Sequence, residues 1–251
     1  MPKDIRNIVI LHGWGLSSEK YKNLSKIFIN QGFKVTVPDL PGFGSIKNID
    51  HDLILEDYAL FLKKLIENNK LKNITLIGHS FGGRVIVCFL DKYKDLVGEY
   101  NIDSIVFTGA PLVKARLSFK KRLVVNLSRL GKKIINNIPL LDRKDVVFRK
   151  MLYKIIGEWD YYNSGNLRQT FINILKYDLQ QKIVKIKLPT LIIWGKNDRI
   201  VSYSDAEMIN KLISGSKLVG VENATHKLPY EKPDVFADYV ISFIHSLYKN
   251  P

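Results

Sequence analysis

The sequence predicts an α/β fold: a mostly parallel sheet of about six strands, helices on both faces, and a helical cap inserted between two strands. Three observations lead there. Short β-branched runs are apolar at consecutive positions, as in strands covered on both sides. Stretches of helical length separate the early runs, and a block over 114–182 breaks the alternation with helical patterns and no strand.

The strand runs are 8–11 (IVIL), 34–37 (KVTV), 74–77 (ITLI), 104–108 (SIVFT), 189–194 (PTLIIW) and 217–221 (KLVGV). Helices are expected over Ser17 to Gln31, Asp52 to Asn69 and Phe81 to Tyr93, where apolar residues recur every three to four positions and Asp57 and Lys64 interrupt the stripe. Within the block, 116–136, 144–157 and 165–176 read as helices, punctuated by Gly131, Pro139 and Gly157. A further helix follows Ser202, whose hydroxyl is expected to cap it, and the last opens near Pro233, a residue suited to a first helical position. Residues 1–113 and 183–251 therefore form the core and 114–182 the cap.

Composition narrows the chemistry. With 251 residues, 46% hydrophobic, the chain can bury a large core, which excludes a disordered class. No apolar run reaches the length of a membrane span, and a cytoplasmic location is expected. A single cysteine, Cys88, excludes internal disulfides and thiolate clusters, and the five histidines show no metal-ligand spacing, so no cofactor is expected. The formal charge of +15 is uneven. Residues 114–187 hold 18 basic and 5 acidic groups, net +13, whereas 1–113 is net +2 and 188–251 is neutral. A coding bias towards lysine would account for the basic count but not for the scarcity of acids, so the confined excess leaves open an anionic surface at the cap, with nucleic acid disfavoured, beside an idle solvated face.

The sharpest local signal is Gly78-His79-Ser80-Phe81-Gly82-Gly83, between an apolar strand and an apolar helix. Gly-x-Ser-x-Gly in that setting makes a cramped turn from which the serine projects, with Gly78 and Gly82 needed for close packing. A serine hydroxyl becomes a nucleophile only beside a base that is itself oriented by an acid. Asp198 and His226 follow in that order beyond the ends of successive strands; Asp39 and Asp103 are rival acids, Asp39 better suited to fixing its own loop. Attack on a carbonyl also needs oxyanion donors, for which the N–H of Phe81 and the N–H of Trp14, in His12-Gly13-Trp14-Gly15, are the candidates.

These runs, with Asp39-Leu-Pro-Gly-Phe-Gly-Ser45, Pro189-Thr-Leu-Ile-Ile-Trp-Gly195 and His226 ahead of Glu231-Lys-Pro233, resemble the serine α/β-hydrolase fold family in its lidded branch of esterases and carbon–carbon bond hydrolases. The resemblance implies Ser80 as nucleophile, Asp198 as acid, His226 as base and the N–H groups of Trp14 and Phe81 as the oxyanion hole. Two departures stand out: Asn223-Ala224-Thr225 replaces the usual glycine-rich approach to the histidine, and there is no room for two leading strands, hence a six-stranded sheet. Ser80 sets the chain apart from dehalogenases and epoxide hydrolases, which carry Asp there, and Gly13-Trp14-Gly15 from proline iminopeptidases, which carry Gly-Gly-Pro-Gly. His-Gly-Trp-Gly resembles bacterial carboxylesterases that demethylate carrier-bound intermediates of biotin synthesis; the resemblance implies a basic lid that meets an acidic carrier protein, a use the net +13 of residues 114–187 would suit. The favoured expectation is a carboxylesterase for small or medium acyl esters, with Phe119, Leu123, Phe148, Leu152 and Trp159 of the cap lining the cleft. The alternatives are carbon–carbon hydrolysis of 1,3-dicarbonyl-type substrates, with an arginine among 116, 122, 129 and 168 holding a carboxylate, and a non-catalytic binding protein.

Overall fold

The computed structural model describes residues 6–113 and 167–248. Six strands, β1 (Asn7–Leu11), β2 (Lys34–Thr36), β3 (Ile74–His79), β4 (Ile102–Thr108), β5 (Thr190–Gly195) and β6 (Lys217–Val221), pair in the order β2-β1-β3-β4-β5-β6, every pair parallel. In β1, β3 and β5 every residue is buried, as continuous apolar runs require when both faces are covered. The chain runs outward from β1 to β2, then crosses back to β3 and continues to β6. Strand order therefore reverses between β1 and β3, where the loops after the two strands diverge and open a crevice.

Helices α1 (Lys22–Asn30), α2 (Leu55–Asn68), α3 (Phe81–Lys92) and the short α4 (Leu96–Glu99) lie between the first four strands. The helix expected from Ser17 instead begins as a 3₁₀ turn over Ser18–Tyr21, and α4 was not foreseen. After β4 come α5 (Arg168–Lys176) and α6 (Gln180–Ile183), then α7 (Tyr203–Leu212) between β5 and β6, and finally α8 (Leu228–Glu231) and α9 (Pro233–Ser246). One face of the sheet packs on α2, α3 and α7 through residues such as Tyr58, Val85 and Ile209, the other on α1 and α9 through Phe28, Phe236 and Val240. Asp57, which breaks the apolar stripe of α2, caps it: its Oδ2 accepts the Ile54 N–H at 2.8 Å. Ser202 does occupy the N-cap of α7, but its hydroxyl meets Ser204 Oγ at 2.7 Å rather than capping the helix.

A helical region, of which α5 and α6 are described, is inserted between β4 and β5, consistent with a cap. Its two ends are tied to the helix behind Ser80 by Arg84. One guanidinium nitrogen donates to Pro111 O at 2.7 Å, ahead of the insertion; another donates to Ile174 O at 2.8 Å and Tyr177 O at 3.0 Å, in its last part. The side chain is buried, and burial pulls its pKa down to about 10. Thr170 adds a tie by accepting the Leu53 N–H at 3.0 Å. The expected helices 116–136 and 144–157, Arg116, Arg122 and Arg129, and the cap residues Phe119, Leu123, Phe148, Leu152 and Trp159 lie outside the described residues. No described helix is long and apolar enough to cross a membrane.

Candidate active site

Ser80 sits between the end of β3 and the first residue of α3 with φ +52°, a left-handed conformation uncommon for a residue with a side chain. The flanking glycines allow it. A Cβ on Gly78 would come 2.5 Å from Gly83 Cα, and one on Gly82 would overlap the Leu11 carbonyl of β1. The elbow is held by backbone bonds from Ser80 N–H to Thr108 O at 2.9 Å and from Gly82 N–H to His12 O at 3.1 Å. The second bond ties the elbow to the loop after β1.

Asp198 and His226 meet on the neighbouring loops: Asp198 Oδ2 lies 2.8 Å from His226 Nδ1, with the carboxylate almost fully buried. The other carboxylate oxygen accepts the N–H groups of Ile200 at 2.8 Å and Val201 at 2.9 Å, fixing the acid to its own loop. That loop is laced to the one after β6 by Asn197 N–H to Ala224 O at 2.9 Å, and Gly195 permits the approach, since a Cβ there would overlap the Ala224 carbonyl. Where the approach to His226 departs from glycine, Asn223 takes the left-handed conformation instead, with φ +52°; asparagine is among the residues that tolerate it best. Gly109, just beyond β4, touches the His226 ring. Its neighbour Thr108 accepts the Ser80 N–H, so the end of β4 borders both serine and histidine.

The two candidate oxyanion residues are brought together, with the Trp14 and Phe81 rings 5.3 Å apart, edge to face. The orientation of the Trp14 N–H follows from the two donors to the Gly13 carbonyl, the Leu16 N–H at 3.1 Å and the His12 ring. Leu40 N–H donates to His12 Nε2 at 2.9 Å, so the neutral ring carries its proton on Nδ1, which donates to Gly13 O at 2.8 Å. Burial lowers the His12 pKa and keeps the ring neutral. The Gly13–Trp14 peptide is planar and trans, so with its carbonyl turned to His12 its N–H is directed the opposite way. The rival acids are occupied elsewhere. Asp39 accepts Ser18 N–H at 2.7 Å and Ser45 N–H and Oγ–H at 2.8 and 2.9 Å; burial alone would raise its pKa, but these bonds outweigh it and hold the carboxyl well below its usual range. Asp103 pairs with Arg6 at 3.1 Å.

Trp14 also stacks near Phe43 at 4.8 Å and Phe171 of α5 at 5.0 Å, and Phe81 near Tyr58 at 4.8 Å, making an aromatic wall beside the elbow. Phe43, Phe171 and Gly109 were not singled out from the sequence, although a glycine closing the strand SIVFT was a visible signal. Among the described residues, no group of three or more His, Cys, Asp or Glu side chains is placed to hold a metal ion.

A family model described as serine aminopeptidase, S33, matches residues 2–233. The chain belongs to this α/β-hydrolase family. As a member it is a hydrolase of the serine-hydrolase type. It is 29% identical to a proline iminopeptidase of Saccharolobus solfataricus over 97% of this chain and 86% of that protein. It is 25% identical to a 2-hydroxy-6-oxononadienedioate/2-hydroxy-6-oxononatrienedioate hydrolase of Escherichia coli over 94% and 86%. An esterase structure from Exiguobacterium antarcticum shares the fold with TM-score 0.72 at 22% identity, covering 96% of this chain and 92% of that one.

Proposed function

We propose that this S33-family hydrolase is a carboxylesterase that cleaves small or medium acyl esters through an acyl-enzyme. The observation that carries the reading is the 2.8 Å bond between Asp198 and His226 on loops adjoining the strained Ser80 turn. Asp198 accepts the proton of Nδ1, which leaves Nε2 as the basic nitrogen. His226 takes the Ser80 proton as Oγ bonds to the ester carbon, and the Trp14 and Phe81 N–H groups stabilise the oxyanion. Collapse expels the alcohol, which takes that proton. A water then loses a proton to His226, attacks the acyl-enzyme and releases the acid with Ser80 restored. The rings of Trp14, Phe43, Phe81 and Phe171 offer the acyl chain an apolar wall, which favours an uncharged acyl group. An ester borne on an acidic carrier would be drawn to the net +13 of residues 114–187.

Intact-mass spectrometry after treatment with a fluorophosphonate tests the chemistry: one adduct on Ser80, none in Ser80→Ala. Turnover of nitrophenyl esters of increasing chain length, beside a 1,3-diketone, tests the substrate class. Preference for the diketone would replace the esterase reading with carbon–carbon bond hydrolysis.

A further inference from the structure

The two halves of the candidate site, the oxyanion loop after β1 and the histidine loop after β6, are joined by a buried chain of directional hydrogen bonds. His79, the residue before the nucleophile, is its centre. His79 Nε2 lies 2.9 Å from the His226 carbonyl oxygen, and a carbonyl only accepts, so the ring proton resides on Nε2. Nδ1 of the neutral ring is then an acceptor, and Tyr21 O–H, 2.6 Å away, donates to it. The same phenol oxygen accepts the Gly13 N–H at 3.4 Å. One proton arrangement satisfies every member: Gly13 N–H to Tyr21 O, Tyr21 O–H to His79 Nδ1, and His79 Nε2–H to His226 O.

The surroundings keep that arrangement in place. His79 is buried, and burial together with the His226 ring 5.0 Å away pushes its pKa down to about 3, so it does not take the second proton that would cost it the Tyr21 bond. Burial likewise raises the Tyr21 pKa, keeping the phenol a donor. Gly13 closes over the ring, since a Cβ there would stand 3.2 Å from His79 Nδ1.

We infer that His79 and Tyr21 are positioning residues that hold the backbone of His226 in register with the oxyanion loop. The inference rests on the serine-hydrolase reading above. Neither side chain is required to touch substrate, so their loss should move kcat and leave KM nearly unchanged. A displacement near 1 Å of a reacting group costs roughly 100-fold in rate.

The experiment measures kcat and KM for nitrophenyl butyrate, and the rate of fluorophosphonate labelling of Ser80, in Tyr21→Phe, His79→Asn and His79→Gln. Glutamine can place an amide N–H where Nε2–H stood, whereas asparagine is too short to reach the His226 carbonyl. His79→Asn should lose about 10–100-fold in kcat and in labelling rate with KM within about twofold, and His79→Gln should recover most of the loss. Tyr21→Phe, which removes one hydroxyl and little volume, should fall between them and keeps the test valid if His79→Asn fails to fold. Equal losses in His79→Asn and His79→Gln, or wild-type turnover in Tyr21→Phe, would overturn the positioning role. Wild-type protein that turns over ester without labelling at Ser80 would overturn the serine-hydrolase reading and this inference with it.

Discussion

Gly109 lies so close to His226 that a Cβ added to it would come 2.7 Å from Cε1 and 2.8 Å from Nδ1 of the imidazole. The residue also has φ +58°, where a side chain is itself disfavoured. Gly109→Ala is therefore expected to push the ring away from Asp198 and lower kcat by about 100-fold, with a stability loss of about 1–2 kcal/mol from the backbone conformation. Ester turnover and urea unfolding on the same preparation read the two effects separately. An unchanged kcat would show that the ring is free to move without consequence.

Asp198 has two tasks, and substitutions separate them. Its Oδ1 secures Ile200 and Val201, its Oδ2 faces His226. Asp198→Asn keeps an acceptor for the loop but presents an amide N–H to Nδ1, forcing the wrong tautomer on the ring; kcat should drop on the order of 10³–10⁴ while the thermal midpoint hardly moves. Asp198→Ala should match that rate loss and also lower the midpoint, because the buried Val201 N–H and the part-buried Ile200 N–H lose their acceptor. Differential scanning fluorimetry beside steady-state kinetics distinguishes the pair.

His12 is expected to act on the oxyanion through the Gly13–Trp14 peptide. His12→Leu removes one of the two donors to Gly13 O, leaving it the Leu16 N–H at 3.1 Å, and takes away the acceptor of the Leu40 N–H, which should loosen that peptide and reduce kcat about 10–100-fold with a small effect on KM. His12→Asn carries an N–H at the position of Nδ1 and should retain more activity than His12→Leu. Stopped-time ester hydrolysis over a range of substrate concentrations gives both constants.

Acid should weaken the fold before it titrates the carboxylates. His79 stays neutral in the native protein down to about pH 3, whereas an unfolded histidine protonates near 6.5. Between those values the unfolded chain binds the extra proton, so stability falls as pH falls, by up to about 1.4 kcal/mol per pH unit for this one group. Buried His12 acts in the same direction. Asp39 and Glu67, with lowered pKa values, contribute stability that is lost only as pH falls towards their ordinary 3.8 and 4.5, so unfolding measured from pH 7.5 to 5.5 isolates the histidines. His79→Gln should flatten the curve; an identical slope in the variant would contradict the buried neutral ring.

The sheet was legible because each strand is a short apolar run bounded by polar residues, and the run KLVGV coincides with β6 from Lys217 to Val221. The positions of Ser80, Asp198 and His226 were legible because each lies just beyond a strand, where a parallel sheet collects its loops. The packing around them was not. Tyr21 meets His79 across 58 residues of chain and Gly109 meets His226 across more, and no periodicity records a contact between distant loops. His79 stood in full view inside the elbow motif, yet its place at the centre of a hydrogen-bonded chain depends on a carbonyl belonging to His226. Ser202 shows the opposite error, a capping residue in the right place whose hydroxyl finds a nearer partner in Ser204.

Arg84 grips Pro111, Ile174 and Tyr177 only by their carbonyl oxygens, groups that every amino acid supplies. A fastening of that kind is indifferent to the side chains it holds. Side chains at those three positions can change without any compensating change at Arg84, while the nucleophile elbow on the same helix stays where it is. The described ends of the insertion are thus held on a fixed mount, and a substitution at any of the three positions would leave the hydrogen bonds of Arg84 in place.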